Sequence, residues 1–117
     1  MTIVDRNAVT QALRELSDLE LQQRLWLSNG SNDSEVSSFT EAVEELYTDT
    51  GLSIALRSGN TGFDLETNKL LLALKNATRQ VDVRHGPTGT INDPTLRLVR
   101  EIASKILLQA EQRRQES

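Results

Sequence analysis

The chain has 117 residues and no cysteine, so it fits one domain with a single core and excludes disulfides, thiolate metal sites and thiol nucleophiles. Its formal net charge of −4 is uneven: residues 1–60 carry four basic and ten acidic side chains, and residues 61–117 carry nine basic and seven acidic ones. An acidic first half disfavours a surface that follows a phosphate backbone there; it suits a basic protein partner, or it only keeps the protein soluble.

The composition predicts the fold class. Leucine, alanine, glutamate, glutamine and arginine lose little side-chain freedom in a helix, and the chain has no alternating run of β-branched residues. We therefore expect an all-α protein: a single-domain irregular or orthogonal bundle of five to six helices over residues 1–117, with a frayed tail at 112–117.

The N-terminus lacks the pattern of a signal peptide, and the longest apolar run, Leu70–Leu74, is too short to cross a bilayer. We therefore expect a cytoplasmic protein without a membrane contact.

The first two helices are predicted from apolar spacing and a capping signal. A stripe at i, i+3, i+4 and i+7 predicts a helix from about residue 5 to residue 16. Ser17 and Glu20 match a capping box, which predicts that a second helix begins at Ser17 and buries Trp26 near its end. The polar stretch 28–34 then predicts a turn, and no register of it supplies the ligands of an EF-hand. The predicted inward residues are Val9, Ala12, Leu13 and Leu16, followed by Leu21, Leu25 and Trp26.

A third helix, predicted from near Asp33 or Ser34 to Tyr47, has its apolar residues on one arc and its glutamates on the opposite arc. A solvated helix face lacks the burial that separates the pKa values of a catalytic carboxylate pair, so the pattern does not indicate an enzyme. The same face suits a basic partner, because complementary charge speeds association. The candidate partner-binding residues are Glu41, Glu44, Glu45 and Asp49.

Three leucines fall outside the predicted core stripes. A short fourth helix should stop at Gly59, and a fifth, capped by Asp64, should run to about Val81. Off-stripe leucines are typical of a helix that is surrounded and buries more than one face; the alternative is an exposed oligomer surface. The expected stripe of the fifth helix is Leu70, Ala73, Leu74, Ala77 and Val81, and the off-stripe residues are Leu65 and Leu72, with Leu108 in the last helix.

The segment 81–93 is predicted to be the longest non-helical connection. Its sequence, VDVRHGPTGTIND, lacks the lysine of a phosphate-binding P-loop, although Arg84 and His85 leave a weaker anion site as an alternative to a solvated connector. A single histidine near Asp93 does not define a catalytic triad. Asp93 before Pro94 predicts the N-cap of a last helix that runs to about Gln112 and forms an antiparallel pair with the fifth.

The sequence predicts no catalytic residue, no cofactor and no metal site. The leading hypothesis is a non-enzymatic protein-binding module, in its concrete form a small immunity or antidote protein whose acidic helix face neutralises a basic toxin such as a nuclease. The second hypothesis is a structural subunit that forms a homodimer through Leu65, Leu72 and Leu108. Nucleic-acid binding by the basic second half is disfavoured, because its cations are interspersed with acids.

Overall fold

The computed structural model describes residues 4–27, 38–59 and 61–116, and within these segments every regular element is helical. The predicted all-α class is confirmed, but the described segments contain seven α-helices instead of the predicted five to six, because the connection 81–93 contains a short helix of its own. No helix in these segments combines the length and the apolar character that crossing a bilayer requires. The helices are α1 (Arg6–Ser17), α2 (Leu19–Trp26), α3 (Phe39–Glu44), α4 (Leu52–Ser58), α5 (Leu65–Gln80), α6 (Gly86–Ile91) and α7 (Pro94–Glu116).

The core is built on α5 and α7, which run antiparallel as predicted, with α1 packed against α7. At one end of the pair, the Thr67 hydroxyl donates to Oε1 of Gln109 at 3.2 Å. At the other end, the backbone N–H of Asp82 donates to Oδ2 of Asp93 at 3.0 Å. The fully buried apolar side chains of these three helices include Val9, Leu16, Leu71, Leu74, Leu96, Val99 and Ala103.

The start of α2 differs from the prediction. Asp18 is the N-cap, and its Oδ1 accepts hydrogen bonds from the backbone N–H groups of Glu20 at 2.9 Å and Leu21 at 3.2 Å. Ser17 is still part of α1, where its hydroxyl donates to the carbonyl of Arg14. The capping box predicted at Ser17 is therefore wrong by one residue. A carboxylate both accepts from the free N–H groups and interacts favourably with the positive helix end.

Trp26 anchors the end of α2 in the core, as predicted, with 3% of its surface exposed. Its ring meets that of Phe39 edge-on, with centroids 5.9 Å apart. The indole N–H donates to Oε2 of Glu15 at 2.8 Å, so the polar edge of the ring is also satisfied. Through these two contacts, Trp26 links α2 to α1 and to the first residue of α3.

The helix α3 begins at Phe39, where the Ser38 side chain accepts the backbone N–H of Glu41 at 3.1 Å. The predicted helix start near residues 33–34 and the predicted turn at 28–34 lie outside the described residues. After Glu44 the helix widens into a π-helical turn, Glu45–Asp49. The Thr50 hydroxyl donates to the carbonyl of Leu46 and so closes this turn. A wider turn rotates every later side chain relative to a regular helix.

The core stripe of α5 is rotated from the predicted one. Leu71 is fully buried, whereas Ala73, which the prediction placed inward, is exposed. The buried stripe includes Thr67 and Thr78, whose hydroxyls donate to Gln109 and to the carbonyl of Lys75. A count of apolar residues alone could not assign these threonines to the core.

The connection 81–93 is not entirely irregular, because it contains the short helix α6. Thr90 and Ile91 are buried, and the Thr90 hydroxyl donates to the carbonyl of Gly86 at 2.9 Å. The predicted non-helical connector is corrected accordingly. The helix α7 extends to Glu116, beyond the predicted end near Gln112, and the fraying of residues 112–117 stays a prediction.

Candidate functional site

The acidic face of α3 and its π-helical turn is the first candidate surface. Glu41 and Glu44 are exposed on α3, and Asp49 is exposed at the end of the π turn. Glu45, at the start of the π turn, is half-buried. Three of the four predicted partner-binding carboxylates therefore lie on the surface, and the fourth is partly covered.

The α3 carboxylates take part in no ion pair within the described segments. The ion pairs found there join other residues: Arg84 and His85 with Asp82, and Arg97 with Glu101. Charge on the α3 face is consequently not neutralised by direct pairing with described cations.

The three off-stripe leucines are exposed. Leu65 has 71% of its surface exposed, Leu72 has 47% and Leu108 has 56%. Leu65 and Leu72 are seven residues apart on α5 and therefore share a helix face. The hydrogen bond between Thr67 and Gln109 places Leu65 and Leu108 at the same end of the α5–α7 pair.

Arg84 and His85 of the connector both lie beside a carboxylate of the same segment. Arg84 forms an ion pair with Asp82 at 3.0 Å, and Nε2 of His85 lies 3.6 Å from the same carboxylate. Asp93 is held separately, as its side chain accepts the backbone N–H groups of Asp82 and Thr95. The arrangement thus pairs His85 with Asp82 rather than Asp93.

A cleft of about 550 Å³ between the π turn, α4 and α5 was not found from the sequence. Its cations come from two helices: Arg57 from α4, and Lys75 and Arg79 from α5. Glu44 is the only carboxylate among the described residues that line it. The remaining lining residues are Val43, Tyr47, Thr48, Ser53 and Thr78.

Lys75 is held in this cleft by neutral groups. Its ammonium donates to the Ser53 hydroxyl at 2.9 Å and lies 5.8 Å from the centre of the Tyr47 ring. Tyr47 is itself fixed, because its buried hydroxyl donates to the carbonyl of Leu71 at 2.8 Å. Burial raises the pKa of Tyr47 well above its usual range, so the phenol stays neutral beside the ammonium.

No three histidine, aspartate or glutamate side chains in the described part of the chain lie close enough together to hold a metal ion. Comparison of the chain with models of protein families, with curated proteins and with solved structures finds no match. The fold and the surfaces themselves define the class: an all-α bundle with an acidic helix face next to a cationic cleft.

Proposed function

We propose that this protein is a non-enzymatic binding module that engages a basic partner protein through the acidic face of α3. The observation that carries this proposal is the exposure of Glu41, Glu44 and Asp49 without an ion pair in the described segments. A concrete form of the function is an immunity or antidote protein, whose carboxylates meet the lysines and arginines of a toxin's substrate groove.

Charge supports this function through association kinetics. Unpaired surface charges attract a partner of opposite sign before the two proteins touch, which raises the association rate and makes it fall with added salt. The acidic first half of the chain, with ten acidic against four basic side chains, extends the same field beyond α3.

The experiment compares two charge-reversal variants as baits for proteins from the native host. The test variant is Glu41→Lys with Asp49→Lys, because both carboxylates are exposed and neither lines the cationic cleft. The matched control is Glu20→Lys with Glu66→Lys, two exposed glutamates on α2 and α5. Both variants change the net charge equally, so a difference between them reports the location of the charge.

We expect a basic protein to be retained by the wild type and by the control at low salt, and to be lost from the α3 variant. The association rate constant with the purified partner should fall by about tenfold or more in the α3 variant and only slightly in the control. Equal rates for all three proteins would overturn the proposal.

A second candidate function is that of a structural subunit, which forms a homodimer through the exposed leucines. It is favoured by the 71% exposure of Leu65 and by the placement of Leu65 and Leu108 at one end of the α5–α7 pair. Apolar side chains with this exposure gain free energy when a second copy covers them.

Solution mass tests the dimer. Leu65→Glu with Leu72→Glu should convert a dimer to a monomer in sedimentation velocity, since it places charge in the apolar interface. The control is Leu19→Glu with Leu98→Glu, which changes two leucines of 41% and 47% exposure on α2 and α7. A wild-type chain that sediments as a monomer at high concentration would exclude this candidate.

A further inference from the structure

We propose that the cleft between the π turn, α4 and α5 binds the phosphate group of a small phosphorylated molecule. The site consists of Arg57, Lys75 and Arg79 as cations and Ser53 and Thr48 as hydroxyl donors. It is separate from the exposed carboxylates Glu41 and Asp49, and it would stand if the proposed protein partner did not exist.

The charge of the cleft matches a dianion. Among the described residues, three cations and one carboxylate, Glu44, line it, which leaves two positive charges in excess there. A phosphate monoester carries a charge of about −1.5 to −2 at pH 7, so its binding would neutralise this excess positive charge. A ligand with a single carboxylate would neutralise only half of it. In a chain with a net charge of −4, a concentration of cations of this kind is not a consequence of overall composition.

The cations are available to a ligand. Neither Arg57 nor Arg79 takes part in an ion pair within the described segments, and both side chains are exposed. Lys75 is half-buried, and its ammonium has only the Ser53 hydroxyl as a described hydrogen-bond acceptor. An ammonium has three N–H donors, so two remain for the oxygens of a phosphate.

The chemistry of these groups suits phosphate. Guanidinium groups bind phosphate oxygens through two parallel hydrogen bonds, and lysine adds a point charge. The Tyr47 ring and the Ser53 hydroxyl hold the ammonium of Lys75 in the cleft, which reduces the entropy that is lost when a ligand binds. The volume of about 550 Å³ lies in the range of small-molecule sites and exceeds what a bare phosphate ion needs.

The position on a π turn is consistent with a binding site. Both Tyr47 and Thr48 belong to the turn Glu45–Asp49, and both line the cleft. Turns of this kind lie frequently at functional sites, because the wider turn moves side chains to positions that a regular helix does not provide.

Isothermal titration calorimetry at low ionic strength tests the proposal with three probes: inorganic phosphate, glycerol 3-phosphate and adenosine monophosphate. Acetate and adenosine serve as the ligands that lack a dianionic phosphate. We expect saturable binding of the phosphorylated probes and none of acetate or adenosine. Tighter binding of one ester than of inorganic phosphate supports the proposal and identifies the remainder of the molecule as part of the ligand, whereas equal binding of inorganic phosphate would overturn a phosphorylated molecule as the ligand.

Two variants locate the binding. Arg57→Ala with Arg79→Ala removes two exposed cations of the cleft, and Arg14→Ala with Lys69→Ala removes two exposed cations outside it. The first should weaken binding by about tenfold or more, since charge-assisted hydrogen bonds are lost, and the second should change it little. In addition, Glu44→Gln should tighten binding severalfold, because it removes the only carboxylate in the described lining.

The ionisation of the probe provides an independent readout. The second pKa of a phosphate monoester is about 6, so its affinity should fall between pH 7.5 and pH 5.5 as the dianion disappears. The charged lining groups are Glu44, Arg57, Lys75 and Arg79, with no histidine among the described ones. Absence of saturable binding by all three probes, or equal weakening by the two double variants, would overturn the proposal.

Discussion

At the residue scale, Asp82 is the side chain whose acidity its neighbours change most clearly. Its Oδ1 accepts hydrogen bonds from Nε of Arg84 at 3.0 Å and from the Arg84 backbone N–H at 2.9 Å, and its Oδ2 accepts a third from the same guanidinium at 3.1 Å. These hydrogen bonds, first from the side chain and then from the backbone of Arg84, lower the pKa of Asp82 from 3.8 to about 2. The nearby imidazole of His85 acts in the same direction more weakly.

The depressed pKa of Asp82 gives a prediction with a definite sign. A carboxyl whose folded pKa lies below its unfolded value contributes stability above the unfolded value, and this contribution is lost as the pH falls through about 2. Replacing Arg84 with alanine should return the pKa of Asp82 towards 3.8, because the largest cause of the shift is removed. An NMR titration of the Asp82 carboxyl carbon measures it. Arg97→Ala, an exposed arginine on α7, should leave that pKa unchanged, and an unchanged value in Arg84→Ala would refute the assignment.

At the scale of the helical elements, the angle between α1 and α2 is held by a buried polar side chain. Gln22 is fully buried, and its amide donates to the carbonyls of Glu15 at 3.0 Å and Leu16 at 2.9 Å, which end α1. Its Oε1 accepts a hydrogen bond from the guanidinium of Arg100 at 3.1 Å, so α7 joins the same network. The Arg100 side chain is half-buried, and this burial, together with the charge of Arg97, lowers the pKa of Arg100.

Replacing Gln22 with leucine should destabilise the protein by about 3 kcal/mol. The carbonyls of Glu15 and Leu16 and the guanidinium of Arg100 would lose a hydrogen-bond partner at a buried or half-buried site. Urea unfolding followed by circular dichroism measures the change. Gln23→Leu, at the exposed neighbouring position on α2, provides the control and should stay within about 0.5 kcal/mol of the wild type. A loss of less than about 1 kcal/mol in Gln22→Leu would mean that the network contributes little net stability.

Gln22 also shows which parts of the fold the sequence could predict. Apolar periodicity identified the buried face of α1, because valine, alanine and leucine carry the signal there. It failed at Gln22 and at Thr67, because a buried amide or hydroxyl is tolerated only with hydrogen-bond partners that come from other helices. Local spacing contains no information about those partners.

In the candidate sites, too, the positions that depend on one regular helix differ from those that depend on several elements. A helical wheel could predict the exposure of Glu41 and Glu44, since both precede the π turn. It could not predict the half-burial of Glu45 or the cleft, in which Arg57 and Lys75 come from different helices. The wheel placed Leu65 and Leu72 outside the core stripe of α5, but it left open whether other helices cover them, and only the structure shows that both are exposed.

At the scale of the whole molecule, the contacts between helices predict one cooperative unit. The apolar cluster joins Trp26 at the end of α2 and Phe39 at the start of α3 with Leu71 of α5 and Val99 of α7. Polar contacts cross the same helices: Tyr47 donates to the carbonyl of Leu71, and the guanidinium of Arg100 donates to Gln22. Separate domains would not share one core in this way.

Unfolding by two probes tests this prediction. Trp26 fluorescence reports the junction of α2 and α3, whereas far-UV circular dichroism is dominated by the longest helices, α5 and α7. If the protein unfolds as one unit, the two urea transitions coincide.

Leu71→Ala should lower the stability by about 3 kcal/mol, because it leaves a cavity in the core. It should shift both transitions equally, although the substitution lies on α5 and the fluorophore on α2. A shift of the dichroism alone would show that α5 and α7 unfold separately from the first half of the chain, and a single domain would then be the wrong description.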